Sequence, residues 1–143
     1  EQTCNCMSET ADNAIDEIFK IMEMNKKIFA NIHPSIFYDL QKYHATTWQL
    51  WNNHKNEFIL HQIKENIWRG IREGLFRSDL DVEVMGRLRL AQVDIVFNAD
   101  VFPPQQFDAR KVQMEVVEHF MLGIATLKGH KLINKYKEIT EEE

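Results

Sequence analysis

Apolar residues recur at steps of three and four along most of the chain, the period of helices that bury one face. From about Glu9 to Ile32 the positions Ala14, Ile15, Ile18, Phe19, Met22, Ile28, Phe29 and Ile32 keep that step and predict a first helix with a broad buried face. His33 then precedes Pro34, a pairing that disfavours helical backbone at the histidine and suits proline as the first residue of a new helix. The second helix runs from Pro34 to about Tyr43, with Ile36, Phe37, Leu40 and Tyr43 at helical spacing. A third begins at Thr46 or Thr47 and ends near Glu73, roughly 40 Å at the standard rise per residue, which makes it the longest element. Trp48, Trp51, Phe58, Ile59, Ile63, Ile67, Trp68 and Ile71 cover more than one of its faces, so it is expected to touch several neighbours.

The stretch from Trp68 to Asp81 closes that helix and opens the next. Gly74 suits the left-handed position just past a helix end, Leu75 can fold back onto the last turn, and Arg69 and Arg72 face the negative end of the helix dipole. Ser78, Asp79 and Asp81 then offer oxygens to orphan amide groups, with Glu83 in the turn that follows. A fourth helix spans about Val82 to Asn98 and carries two apolar stripes: Met85, Leu88, Ala91, Gln92, Ile95 and Val96 on one, Leu90, Val93 and Phe97 on the other. The run Asp100 to Gln106, with Phe102-Pro103-Pro104, is an irregular loop because adjacent prolines cannot continue a helix. Asp108 caps a fifth helix, which carries Val112, Val116, Val117, Phe120, Met121 and Ile124 and ends at Gly123 or Ile124. Thr126 caps a sixth, Leu127 to about Lys137, before the acidic end Glu141-Glu142-Glu143. The fold class expected is all-α, an antiparallel bundle of about six helices.

At 143 residues the chain suits one domain, 1–143, with a sizeable core. Its five Gly and three Pro, against 44% hydrophobic and 27% charged residues, exclude disordered and collagen-like classes. A formal net charge of -5 argues against direct DNA or RNA binding by this piece. No run approaches the roughly eighteen apolar residues of a membrane span, and no basic-then-apolar leader opens the chain, so a cytoplasmic location with no membrane contact is expected. The chain begins at Glu1 rather than methionine, which is expected of a fragment.

Candidate chemistry is thin. Cys4 and Cys6 are the whole cysteine supply. A bridge between residues two apart is strained, and a zinc site there lacks further ligands at suitable spacing. His54 and His61 lie about 10.5 Å apart along one helix, too far to share a metal. Inward Glu-x-x-His pairs are missing; Glu115-Val116-Val117-Glu118-His119 and Glu57-Phe58-Ile59-Leu60-His61 have other spacings. Asp79-Leu80-Asp81-Val82-Glu83 alternates like a calcium loop but lacks the glycine and glutamate that complete one. No phosphate loop, nucleophile elbow or Cys-x-x-Cys occurs, so no enzyme activity, catalytic residue, metal or cofactor is expected.

What remains is aromatic and methionine-rich. Met22, Trp48, Trp51 and Phe58, with the polar Gln62, Arg89 and Gln92, are candidates to line a mainly apolar cavity carrying a few orienting groups; the same spacing also describes a filled aromatic core. The second stripe on the fourth helix (Leu90, Val93, Phe97) and the breadth of the fifth (Val116, Val117, Phe120, Met121) suggest a helix pair covered by another chain.

The corner Arg69-Gly70-Ile71-Arg72-Glu73-Gly74-Leu75-Phe76-Arg77-Ser78-Asp79-Leu80-Asp81 resembles the segment that joins two long helices in the C-terminal domains of TetR-family transcriptional regulators. Pro34-Ser35-Ile36-Phe37-Tyr38-Asp39-Leu40-Gln41-Lys42-Tyr43 resembles that family's short helix before the long central one, and His119-Phe120-Met121-Leu122-Gly123-Ile124-Ala125-Thr126-Leu127-Lys128-Gly129 its last long helix and following turn. The similarity covers about Ala14 to Lys137, and Ser78 stands where the corner often has proline. It implies an effector-binding and dimerisation domain without catalytic residues. A helix-turn-helix domain would precede it and supply the only contact with operator DNA, with Glu1 to Ser8 following the connector. It further implies a homodimer bundled through the fourth and fifth helices and a small-molecule pocket among the first, third and fourth. A ligand would act by favouring one of two dimer arrangements. The alternative expectation is a helical protein–protein interaction module without a small-molecule ligand.

Overall fold

The computed structural model describes the backbone of residues 10–31 and 35–142, and their side chains apart from 28–31, 35–38, 55 and 138–142. The Cys4/Cys6 pair, the connector Glu1 to Ser8, Ile32 and the His33-Pro34 junction lie outside the described residues, as do the side chains of Ile28, Phe29, Ile36 and Phe37. Six named helices pack together, with no strands among the described residues: α1 (Ala14–Asn31), α2 (Ser35–Tyr43), α3 (Ala45–Arg72), α4 (Val82–Ile95), α5 (Ala109–Ile124) and α6 (Leu127–Glu142). None of them is long and apolar enough to cross a membrane. The 28-residue α3 is the spine, packing against α1, α2 and α4, while α1 reaches α3, α5 and α6.

Local chemistry sets most boundaries. Asp81 accepts from the Val84 amide, Asp108 from the Arg110 amide at 3.0 Å, and Thr126 Oγ1 from the Gly129 amide at 3.1 Å, so each satisfies a donor that the start of a helix leaves orphaned. α3 differs: His44 at its N-cap makes no side-chain cap bond, and the helix starts at Ala45, one residue after α2 ends. α4 stops at Ile95 rather than Asn98, because the Asn98 side chain accepts from the amides of Asp100 at 2.9 Å and Val101 at 3.3 Å and turns the chain away.

The corner after α3 is a Schellman motif. The Leu75 amide donates to the Gly70 carbonyl at 2.8 Å and the Gly74 amide to Ile71 at 3.1 Å, around Gly74 with φ of 77°. Beyond it the chain turns inward instead of running over the surface. Phe76 is 1% exposed, and its ring lies so close to Gly70 that a Cβ there would collide with it. Burying that ring contributes about 1.5–3 kcal/mol.

Phe76 also pairs with Ala125 in an isolated antiparallel bridge, with Arg77 N donating to Ile124 O and Thr126 N to Leu75 O, both at 2.9 Å. The Thr126 hydroxyl adds a 2.7 Å bond to the Gly74 carbonyl, and Gly129 approaches Leu75 O so closely that no side chain fits between them. The corner is therefore fastened to the α5–α6 junction. Around it sits the main core, with Ile15 from α1, Ile67 from α3, Met121 and Ile124 from α5 and Ile133 from α6. A smaller cluster of Val96, Ala109 and Val112, flanked by Phe97, Phe102 and Val116, closes the loop between α4 and α5.

Candidate functional site

Four helices enclose a mainly apolar cavity of about 210 Å³. Its walls follow from helical period. Phe58 and Gln62 stand one turn apart on α3, as do Ile59 and Ile63, and Asn66 and Ile67 continue both rows. From α1 come Ile18, Ile21, Met22, Met24 and Asn25, with Glu17 at one end; α4 adds Arg89 and Val93, one turn apart, and α5 adds Gln113 and Phe120. The space lies below the roughly 300–1,000 Å³ of drug-sized sites, so its occupant would be small.

Four polar or charged side chains are buried among the described residues, and three are satisfied. Asp16 accepts from the Asp12 amide at 2.9 Å and pairs with Lys20. Asn66 donates to the Ala14 carbonyl at 3.0 Å. Glu17 takes Arg69 Nη1 at 2.9 Å, and Arg69 also reaches the Ala11 carbonyl at 2.7 Å and Glu73 at 3.3 Å. Partial burial works against the Arg69 charge, yet the bond to Glu17 and the neighbouring Glu73 charge outweigh it and raise the guanidinium above its ordinary range.

Arg89 is the fourth and the exception. It is 9% exposed and lines the cavity, and it has no hydrogen bond or ion pair with any described residue. Among the described residues its one charge-related contact is the Phe120 ring, 5.9 Å from the guanidinium carbon. Burial lowers its pKa to about 10, so it stays cationic at neutral pH. Gln62, Asn25 and Gln113 likewise point no polar atom at a protein partner among the described residues, which leaves their amides available to something inside.

Of the residues singled out from sequence, Met22, Phe58, Gln62 and Arg89 meet at this cavity. Trp48 and Trp51 stand further up α3, off the lining, and Trp51 is 48% exposed. Gln92 is also off the lining, half-buried, with Oε1 lacking a partner. Ile18, Ile21, Met24, Asn25 and Gln113 complete the walls. The row Ile18, Ile21, Met22, Asn25 at steps of three and four was the signal that marks the α1 wall.

The seven residues expected in a dimer seam fall into four settings. Val93 and Phe120 line the cavity. Val117 and Met121, 2% and 1% exposed, are buried inside the chain, and Phe97 and Val116 pack on the small cluster beside the α4–α5 loop. Leu90 is half-buried. Facing solvent on α4 is instead the stripe Val84, Leu88, Ala91 and Ile95, with Val84 53% and Leu88 45% exposed.

Among the described residues no three His, Cys, Asp or Glu side chains gather as a metal site. No protein-family model, no curated protein and no solved structure matches the chain.

Proposed function

We propose that this chain is the regulatory domain of a transcriptional regulator, a repressor of the TetR type, which binds a small apolar or amphipathic effector and homodimerises. DNA is contacted only by an N-terminal DNA-binding domain outside this sequence, in keeping with the net charge of -5 here. The observation that carries the proposal is the cavity among α1, α3, α4 and α5: apolar walls, a few amides with no protein partner among the described residues and one buried cation are the make-up of a small-molecule site. No residue is assigned a catalytic role.

Two further features support a switch. α3 and α4 both line the cavity, and the corner between them is tied by Thr126 and the Phe76–Ala125 bridge to the α5–α6 junction. An occupant that shifts α4 against α3 therefore bears on α5 as well. The outward stripe Val84, Leu88, Ala91, Ile95 on α4 suits a helix that meets its symmetry mate, since an isologous interface sets one patch against its own copy. Ligand and dimer arrangement would then be coupled through α4, to the extent that the ligand binds one arrangement better.

The same stripe favours a second reading, a helical interaction module with no small-molecule ligand. A thermal-shift screen against apolar and amphipathic small molecules separates the two. The effector reading expects at least one compound to raise Tm with concentration, and a cavity-filling change such as Val93→Phe to abolish that rise. A Tm that no compound moves would favour the module.

A further inference from the structure

We propose that the effector carries an anionic group, a carboxylate on a small apolar body, and that Arg89 is its counter-ion. This rests on the cavity being the effector site. Arginine is almost never buried unless paired, because a charge removed from water loses several kcal/mol of hydration that only a counter-charge and hydrogen bonds restore. Here Asp16, Glu17 and Asn66, the other polar or charged residues buried to that extent among the described ones, are all partnered, whereas Arg89 is 9% exposed, faces the cavity and has no hydrogen-bond or ion-pair partner among the described residues. The Phe120 ring offsets part of that cost but accepts none of the five guanidinium N–H bonds.

The one acid on the lining among the described residues does not meet the need. Glu17 is already paired with Arg69 at 2.9 Å, which Glu73 also engages at 3.3 Å. A carboxylate brought in from outside fits the planar fork of Arg89 with two parallel hydrogen bonds, and the amides of Gln62 and Gln113 lie on the same lining to add neutral donors. Apart from Asn25 and Asn66, the remaining wall is apolar, with Ile18, Met22, Phe58, Ile63 and Val93 suited to the hydrocarbon part.

The approach has matching charge. A groove of about 300 Å³ shares Met22 and Gln113 with the cavity, and Lys26, Lys111 and Arg110 line it against Asp108 and Glu115. Arg110 is engaged with Asp108 at 3.3 Å, which leaves the two exposed lysines against Glu115, a modest positive excess that favours an incoming anion over a cation.

The test compares three probes of equal chain length, octanoate, octanol and octylamine, by titration calorimetry on the parent chain, on Arg89→Met and on Arg89→Lys. Expected is octanoate binding about tenfold or more tightly than octanol, with octylamine weakest. Arg89→Met should lose that preference while keeping octanol affinity, and Arg89→Lys should keep part of it. Equal affinity of the parent for octanoate and octanol, or an unchanged preference in Arg89→Met, overturns the role of Arg89 and leaves the cavity reading standing. A parent chain that binds none of the three overturns both. Helical circular dichroism of each variant confirms that lost binding is not lost folding.

Discussion

The Arg89 guanidinium lies 5.9 Å from the centre of the Phe120 ring, a cation on an aromatic face inside a cavity, with no hydrogen-bonding or ion-pair partner among the described residues. Such a contact contributes about 2 kcal/mol or somewhat more when desolvated, against the several kcal/mol that burial of the charge costs. Without a counter-charge, the buried guanidinium should therefore be a net liability. Arg89→Met, which keeps the apolar stem and removes the charge, is expected to raise unfolding stability by about 1–3 kcal/mol in urea denaturation. The sign of the pH dependence follows from the lowered pKa. A base whose folded pKa is depressed weighs against folding while it is charged in both states, and that penalty fades as pH rises through about 10. The gain from Arg89→Met should accordingly be full at neutral pH and shrink above pH about 10. A destabilised variant at neutral pH would show that Arg89 has a partner after all.

The junction of the corner with α6 makes a prediction about two glycines. A Cβ at Gly74 meets nothing within 4 Å but must adopt φ of 77°, so Gly74→Ala should cost about 1 kcal/mol. At Gly129 a Cβ runs into the Leu75 carbonyl, and backbone must move; Gly129→Ala should cost more, about 3 kcal/mol. Thermal denaturation of the pair ranks them. Gly74→Val combines the left-handed strain with β-branching and is expected to disturb assembly and ligand response together, because both depend on how α3 meets α4.

Arg69 and Glu17 offer a third test. Removing Arg69 leaves Glu17, 4% exposed, without its cation, and Arg69→Met should cost about 3–5 kcal/mol. Adding Glu17→Leu should recover part of that loss, since the stranded charge goes with it. A double-mutant cycle with a coupling energy near zero would mean that the pair contributes nothing beyond the bonds Arg69 makes to Ala11 and Glu73.

For assembly, Leu88→Glu is the informative change. Leu88 is 45% exposed, so the substitution should alter the fold's own stability by no more than about 0.5 kcal/mol. Light scattering over a concentration series should show a dimer in the parent and a monomer in the variant. Charges at Val93 or Phe97 would confuse the question, because those side chains belong to the cavity and to the small cluster. A parent that stays monomeric at high concentration removes the homodimer from the proposal.

Local chemistry made much of this fold readable. Asp81, Asp108, Thr126 and Gly74 act within a few residues of themselves, so capping rules place them correctly. Long-range pairing was not readable in the same way. Arg69 at a helix C-terminus fits a dipole argument, and nothing within four residues of it points to Glu17, 52 positions away. The two stripes of α4 show the same limit. Spacing reveals that both are apolar, but which one faces inward depends on α3 and α5, and the inward set proved to be Met85, Arg89, Val93 and Val96. Trp51 invites burial by its size yet stands half-exposed, on the part of α3 that precedes Phe58, where the cavity lining begins.

If a small molecule enters the space among α1, α3, α4 and α5, the methionines should show it, because Met22 and Met24 both line that space while Met85 and Met121 belong to the main core. Methionine methyl NMR of the whole chain during titration with octanoate and octanol is the decisive measurement. Saturable shifts are expected at the Met22 and Met24 methyls, larger than any at Met121. Saturable shifts confined to other methionines, or none with either probe, would rule out binding in that space.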